Sequence, residues 1–274
     1  MPDGMSRPLG FLTDYGPGTE HVGALHAVAA TIAPLSDRVD LAHDIPAGDI
    51  RWGAIVLERL VRLMPRQAVT VAVVDPGVGT ERRPVAVELG WGRVVIGPDN
   101  GLLGLAADRL GATRAVHITS RDHMREPVSD TFHGRDVFAP AAAHVAEGVP
   151  LEALGPEIDP VSLQRPPLPA AQAAAGTLEA LIAGVDSFGN LALWATADDL
   201  MAAGLVHGAG AWVSTATAGQ SRARVGRTFQ DVPRGALLVY IDSHGLVSVA
   251  LNGGSAEERV RATAGEIAAV MRQE

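Results

Sequence analysis

The stretch VAVVDPGVGTERR, from Val71 to Arg83, decides how the rest of the chain is interpreted. It begins as an apolar, β-branched run, which is typical of a strand buried on both faces. The Asp-Pro-Gly-Val-Gly that follows cannot continue a strand, because proline fixes one backbone angle and lacks a donor. We predict that a strand ends at Asp75, leaving Asp75 and Arg82 at the edge of a sheet where ligands of α/β proteins bind.

An ordinary strand-to-turn junction could have the same sequence, but two other segments favour a functional site. Asp14 follows the apolar run Leu9 to Thr13 in the same way. His133 lies in a second compact polar motif, Thr131-Phe-His-Gly-Arg-Asp136. We therefore expect these polar side chains to lie near one another.

The first part of the chain alternates short apolar runs with segments of helical period, which predicts an α/β fold with a largely parallel sheet. Strands are expected over residues 9–13, 38–42, 71–75, 84–89, 93–96 and 114–118, and helices over 21–33, 50–64, 102–110 and 133–147. The strands at 84–89 and 93–96 read as a hairpin. We assign residues 1–155 to an α/β amino-terminal domain.

The composition changes after Gly155. Residues 156–175 are rich in proline and alanine and are interpreted as a semi-rigid linker. Beyond them, short strands are predicted over 177–185, 191–195, 211–217, 236–241 and 246–251, with helices only at 197–203 and 256–272. We expect residues 176–274 to form a smaller, mostly antiparallel β domain.

Composition limits the possible functions. The formal net charge of −9 argues against a nucleic-acid partner, whose phosphates attract basic surfaces. No apolar run reaches about 18 residues, so no membrane span is expected, and residues 1–8 lack the features of a signal peptide. The chain has no cysteine, which excludes disulfides and thiolate chemistry and fits a reducing compartment. We expect a soluble, cytoplasmic protein.

Six motifs carry a family resemblance. In chain order they are FLTDYG, VVDPGVGTERR, GPDNGLL, TFHGRDVFAP, DSFGN and SHGLVSVALNGGSA. Together the motifs resemble the S-adenosyl-L-methionine (SAM) hydroxide adenosyltransferases, which are related to fluorinating and chlorinating enzymes. The resemblance implies hydrolysis of SAM to adenosine and L-methionine without a cofactor. It also implies a homotrimer whose active sites lie between the amino-terminal domain of one subunit and the carboxyl-terminal domain of the next.

Activation of the nucleophile is the difficult part of this reaction. Attack at the 5′ carbon of SAM expels a neutral thioether, so the leaving group needs neither an acid nor a metal, whereas water must be held in line and lose a proton. Asp75, Arg82 and His133 match the aspartate, arginine and histidine of the family. We expect Arg82 to stabilise hydroxide, His133 to accept or relay the proton, and Asp75 to orient both.

The resemblance also implies residues that bind the substrate. Asp14 would accept hydrogen bonds from the ribose hydroxyls. The expected contacts to adenine and methionine come from the second domain: Asp186, Phe188, Asn190, Phe229, Ser243, Leu251 and Gly253.

Other interpretations of these residues stay open. Asp14 could cap a helix, Ser243 could belong to a hairpin turn, and Arg83 could replace Arg82. His133 and Asp136 could ligate a metal, but a third ligand is not apparent, so we predict no metal.

Two alternative functions also remain. One is a SAM-dependent halogenase using chloride, which the Asp75 carboxylate disfavours because it would repel a buried halide. The other is a non-catalytic protein that binds adenosine or SAM, which would have no use for a group that activates water.

Overall fold

The structure, a computed structural model, describes residues 6–217 and 219–273. The chain forms two compact units, of which the first ends at Pro167 and the second begins at Leu168. This boundary lies inside the segment 156–175, whose residues also supply a short strand to each sheet. Within the described residues, no helix is both long enough and apolar enough to cross a membrane.

The described residues of the first unit build a seven-stranded sheet in the order β2-β1-β3-β5-β4-β6-β7. The strands are β1 (Leu9–Thr13), β2 (Arg38–Ala42), β3 (Val69–Val73), β4 (Pro84–Glu88), β5 (Val94–Pro98), β6 (Arg114–His117) and β7 (Glu157–Ile158). Strands β2, β1, β3 and β5 run parallel, and the predicted hairpin of β4 and β5 begins the antiparallel part. Every residue of β1, β3 and β5 is buried, as expected for strands covered on both faces.

The helices of the first unit confirm the predicted alternation of strands and helices. They are α1 (Glu20–Ile32), α2 (Ile50–Val61), α3 (Gly104–Leu110) and α4 (Ala139–Ala146). The segment predicted as one helix over 133–147 begins with a π-helical turn, Gly134–Phe138, before α4. Such turns are rare in helices and are frequent at functional sites.

The register of β1 against β3 places the polar residues at one edge of the sheet. Thr13 pairs with Val73, and the Asp14 amide donates to the Val73 carbonyl at 3.3 Å. The chain therefore leaves both strands at the same edge, carrying Asp14 and Asp75 with it. This is the edge that the carboxyl ends of parallel strands share, where ligands of such sheets bind.

The second unit is a mostly β structure, as predicted. Its strands are β8 (Gln172–Ala174), β9 (Thr177–Val185), β10 (Leu191–Thr196), β11 (Gly210–Thr215), β12 (Gly219–Val225), β13 (Leu237–Ile241), β14 (Leu246–Leu251) and β15 (Ile267–Arg272). Their order is β10-β14-β13-β12-β11-β15-β9-β8, and pairing of β9 with β10 closes the sheet into a barrel. Among the described pairings in this unit only β12 with β13 is parallel. The second unit also contains two short helices, α5 (Ala197–Ala202) and α6 (Ala256–Val260).

The predicted carboxyl-terminal helix over 256–272 is wrong. Helix α6 ends at Val260, where Arg261 adopts a left-handed conformation with φ of 44°, and β15 then inserts between β11 and β9. Ala268 and Val270 are buried while their neighbours are not, which is the period of two that a strand requires. Tertiary pairing overrides the helical preference of this alanine-containing segment.

Candidate active site

Asp75 and Arg82 form a buried ion pair at the edge of the first sheet. The Arg82 Nε donates to Asp75 Oδ1 and Oδ2 at 3.1 and 3.0 Å, and Nη2 donates to Oδ2 at 2.6 Å. Their side chains are only 6% and 5% exposed for Arg82 and Asp75 respectively. Because the pair is charge-assisted and shielded from water, it holds both side chains in a fixed orientation.

The turn between these two residues brings them together. The Val78 amide donates to the Asp75 carbonyl at 3.2 Å, which begins the turn. Gly79 has φ of 79°, and a Cβ at this position would lie 2.7 Å from the Asp130 carbonyl oxygen. Glycine is therefore required both by the backbone angle and by the close approach of the segment that leads to His133.

Arg82 also binds His133. Its Nη2 lies 2.6 Å from His133 Nδ1. A guanidinium can only donate, so Nδ1 accepts, and the imidazole is neutral with its proton on Nε2. Burial of the ring, and then the positive charge of Arg82, lower the pKa of His133 below its ordinary value. The structure thus brings together the three residues expected to prepare water.

A cavity of about 470 Å³ opens beside this group. The described residues that line it are Asp14, Tyr15, Ala47, Gly48, Val73, Asp75, Pro76, Val78, Thr131, His133 and Gly134. Arg82 is absent from this lining and contacts the ring face of Phe138 at 5.4 Å instead. Asp75 and His133 therefore reach the cavity, while Arg82 holds them from behind.

Asp14 also faces this cavity, and it does not cap α1. Thr19 occupies the cap position of that helix. The Asp14 Oδ2 accepts a hydrogen bond from the Gly48 amide at 2.9 Å, which fixes the carboxylate against the loop before α2. The alternative of a helix cap is thereby removed, and one carboxylate oxygen stays available for a ligand.

Tyr15 is a cavity residue that the sequence analysis missed. Burial, followed by the nearby Asp14 and Asp75 carboxylates, raises the pKa of Tyr15, so its hydroxyl keeps its proton. A Cβ on Gly134 would lie 2.4 Å from the Tyr15 hydroxyl oxygen, so the phenol packs directly on that glycine. Its position directly after Asp14 in FLTDYG was the available signal.

A second cavity, of about 630 Å³, lies in the second unit. Six of the seven residues predicted there line it: Asp186, Phe188, Asn190, Phe229, Leu251 and Gly253. Tyr240 and Gly254, which were not predicted, line it as well. Phe188 is 77% exposed and Phe229 is 43% exposed, so two aromatic faces are presented to solvent.

Asp186 and Ser243 differ from the expected pattern. The Asp186 Oδ1 accepts from the Phe188 and Asn190 amides, and Oδ2 accepts from Asn190 Nδ2, all at 2.8 to 2.9 Å. Through these hydrogen bonds the Asp186 carboxylate stabilises the turn formed by residues 186–190. Ser243 is exposed in the turn between β13 and β14 and is not among the residues lining this cavity.

The remaining alternatives are resolved by contacts. Arg83 donates hydrogen bonds to Asp99 at 2.5 and 2.9 Å. Arg82, and not Arg83, is therefore the ion-pair partner of Asp75. Asp136 is fully buried and accepts hydrogen bonds from Arg135 at 2.7 and 2.8 Å and from the Ser129 amide. Burial alone would raise the pKa of Asp136, but the Arg135 hydrogen bonds lower it overall. Its oxygens are committed to this ion pair, which argues against a metal shared with His133.

Known proteins resemble this chain over nearly its full length. The sequence matches the SAM hydroxide adenosyltransferase N-terminal domain over residues 9–155 and the C-terminal domain over residues 180–268. It is 44% identical to the (R)-S-adenosyl-L-methionine hydrolase of Salinispora arenicola, covering 94% of this chain and 95% of that protein. The hydrolase of the same name from Thermus thermophilus is 41% identical, with 92% and 94% covered.

A more distant relative and a solved structure also resemble this chain over most of its length. A fluorinase from Actinopolyspora mzabensis is 27% identical, with 93% of this chain and 94% of that protein covered. The crystal structure of an uncharacterized conserved protein from Thermotoga maritima matches with a TM-score of 0.89 at 31% identity, covering 96% of this chain and all of that one. The chain therefore belongs to the SAM hydroxide adenosyltransferase family.

Proposed function

We propose that this protein hydrolyses SAM to adenosine and L-methionine. The main support for the proposal is the buried contact of Arg82 with both Asp75 and His133. This contact lies beside a cavity that Asp14 also lines. The relatives at 41 and 44% identity are named hydrolases of the (R) form of SAM, which makes that sulfonium epimer the first substrate to test.

The geometry favours a division of roles that differs from the one expected from the sequence. Asp75 and His133 line the cavity, so they contact the attacking water. His133 donates its Nε2 hydrogen to the water oxygen, and Asp75 accepts one of the water hydrogens. As the bond from oxygen to the 5′ carbon forms, that hydrogen becomes strongly acidic, so a carboxylate is a sufficient acceptor. The carbon–sulfur bond breaks with its electron pair on sulfur, which leaves as neutral methionine.

Arg82 acts as a positioning residue in this scheme. Its Nε and Nη2 groups hold Asp75, and the second Nη2 hydrogen holds His133 Nδ1. Because Nδ1 is occupied by a donor, the ring keeps the tautomer that presents a hydrogen to the water. If His133 acted as the base through Nε2, its ring proton would have to be on Nδ1. That N–H group would then point at the Arg82 guanidinium, which is itself a cation and a hydrogen-bond donor.

Substrate recognition is assigned to both units. Asp14 binds the ribose hydroxyls through its free oxygen, with Tyr15 against the same part of the cavity. In the second unit, the exposed rings of Phe188 and Phe229 and the amide of Asn190 bind adenine and methionine. Asp186 contributes by holding Phe188 and Asn190 in place, and backbone groups near Leu251 and Gly253 complete the adenine contacts.

The assembly and location belong to the same proposal. The protein forms a homotrimer in which the first unit of one subunit and the second unit of its neighbour share a substrate. It works in the cytoplasm, without a cofactor or a catalytic metal.

Water is favoured over halide as the nucleophile. A halide in this cavity would lie next to the anionic Asp75, and two like charges about 4 Å apart repel by about 4 kcal/mol at an effective dielectric of 20. Water instead gains a hydrogen-bond acceptor there.

One experiment tests the function directly. The purified protein is incubated with each sulfonium epimer of SAM, with and without chloride or fluoride, after treatment with a chelator, and the nucleosides are separated by chromatography. We expect adenosine as the product, independent of halide and chelator, and its loss in Asp75→Asn. Formation of 5′-halogenated adenosine, or no turnover of either epimer by correctly folded protein, would refute the proposal.

A further inference from the structure

Three side chains of the types that can ligate a metal converge outside the lining of the candidate active-site cavity. His26 lies in α1, Asp40 in β2, and His43 directly after β2. The His26 Nε2 and the His43 Nε2 lie 2.7 and 2.9 Å from the same Asp40 oxygen, Oδ1. Among the residues that the structure describes, this is the one group of three such side chains with its ligand atoms within 4.8 Å of one another. We propose that His26, Asp40 and His43 bind a divalent transition-metal ion such as Zn²⁺.

The donor set suits this class of ion. Imidazole nitrogen and carboxylate oxygen are the ligands that zinc takes, at distances of about 2.0 to 2.2 Å. A tetrahedral site with such bonds separates its ligand atoms by about 3.3 Å, roughly half an ångström more than the present contacts. Asp40 has a side chain that is 52% exposed, so it can move outward to admit the ion.

The two histidines are held from behind, as metal ligands usually are. His43 is only 6% exposed, and its other ring nitrogen, Nδ1, lies 2.8 Å from Thr13 Oγ1. The hydroxyl of Thr13 can either donate or accept, so His43 can carry its proton on Nε2 in the hydrogen-bonded state and on Nδ1 when Nε2 binds a metal. His26 stacks on Phe11 with ring centroids 4.6 Å apart, which limits its rotation.

The ion would stabilise the part of β1 that leads into the candidate active site. Thr13 is the last residue of β1 and directly precedes Asp14. Its hydroxyl oxygen also accepts from the Tyr15 amide at 3.2 Å, and the His43 carbonyl accepts from the Gly16 amide at 2.8 Å. A metal on His43 would thus fix the backbone that carries two cavity residues without touching the substrate. This is an accessory role, and it does not depend on the proposed hydrolysis.

Zinc titration of chelator-treated protein by calorimetry tests the site. We expect one ion per chain, with affinity reduced roughly tenfold or more in His26→Gln and in Asp40→Asn, and reduced less in Thr13→Val. Two variants serve as controls. His207→Gln removes an exposed histidine, and His144→Gln removes one member of the pair His123 and His144, whose ring centroids lie 5.0 Å apart. Both are expected to bind zinc like the parent protein.

Several outcomes would overturn the proposal. Equal affinity of the parent protein and Asp40→Asn, or the absence of saturable binding, would mean that the cluster is a hydrogen-bond network only. Loss of binding in His144→Gln but not in Asp40→Asn would move the ion to the other pair. A measurement without variants is anomalous scattering from zinc-soaked crystals, where a peak among His26, Asp40 and His43 supports the site and its absence there refutes it.

Discussion

The Nη2 group of Arg82 lies 2.6 Å from Nδ1 of His133, and this contact determines which ring nitrogen carries the proton. Arginine stays protonated at all relevant pH values, so the bond exists only while Nδ1 is bare. The same Nη2 binds the Asp75 carboxylate at 2.6 Å. One guanidinium therefore couples the charge of an aspartate to the tautomer of a histidine, and both of those residues face the same cavity.

The first prediction is that turnover stays constant as the pH is lowered from 8 through 6.5, and that it falls only at more acidic pH. Burial and the charge of Arg82 lower the pKa of His133 from the ordinary value of 6.5, so the neutral ring persists below that pH. Once protonated, Nδ1 can no longer accept from Arg82, and the arrangement is lost. Adenosine formation at saturating SAM, measured against pH, checks this. A rate that already declines from pH 8 to 7 would contradict it.

The same shift has a consequence for folding stability. His133 takes up its proton at a higher pH in the unfolded chain than in the folded chain. The contribution of this residue to the free energy of unfolding is therefore fully present above pH 6.5. It decreases as the pH falls from 6.5 towards the lowered pKa of the folded state. Urea unfolding of the parent protein and of His133→Gln at pH 7.5 and at acidic pH should show a smaller difference at the acidic pH.

A second prediction separates Arg82 from its neighbour. In Arg82→Lys the charge is kept, but an ammonium cannot hold Asp75 and His133 at once, so we expect kcat to fall roughly 100-fold with little change in substrate affinity. Arg83→Lys is the matched control, because Arg83 pairs with Asp99 and not with Asp75. Single-turnover kinetics and calorimetric binding of SAM measure the two quantities. Equal losses in both variants would mean that this turn responds to any arginine change.

The sequence predicted the residues of the site better than their contacts. The apolar run before Asp75 and the breaking Pro-Gly indicated the sheet edge, and the parallel register of β1 with β3 then brought Asp14 to the same edge. That Arg82 lies behind Asp75 and His133 could not be derived, because it depends on how the turn 75–82 folds back. Tyr15 was missed because a tyrosine beside a strand is ordinarily a core residue.

The second unit was harder to predict for a different reason. Strand β12 reads GQSRARV, and its charged Arg222 and Arg224 obscured the alternation with buried Ala223 and Val225. Strand β15 has a composition compatible with a helix, and only its pairing with β9 and β11 makes it extended. Ser243 was assigned from a motif, and motif position alone does not say which way a hairpin turn faces.

A third prediction concerns Gly134 and Tyr15. A Cβ in Gly134→Ala would lie 2.4 Å from the Tyr15 hydroxyl oxygen, and Tyr15 is partly buried against the core, so the phenol must shift within a packed environment. We expect this variant to lose about 1 to 3 kcal/mol of unfolding free energy, the usual cost of overpacking. Adding Tyr15→Phe removes the clashing oxygen and should recover part of that loss. The four proteins of this cycle are compared by urea unfolding, and strictly additive effects would show that the two side chains are not coupled.

The last prediction tests whether subunits share a substrate. Asp14→Asn disables the ribose contact in the first unit, and Asn190→Ala disables the contact in the second, so each variant alone should be nearly inactive. If a substrate lies between the first unit of one subunit and the second unit of its neighbour, equal mixing of the two chains after reversible dissociation gives about a quarter of sites with both halves intact. The regained adenosine formation should approach that fraction of the parent rate.

A control mixture combines Asp14→Asn with Asp75→Asn, both of which lie in the first unit. Every chain in it carries a substitution in the first unit, so no site has an intact first half, and the mixture should regain nothing beyond the residual activity of the two variants. Recovery confined to the first mixture would support the shared site. If chains carrying two different affinity tags are shown by sequential purification to form mixed trimers and still regain no activity, the whole site lies within one subunit.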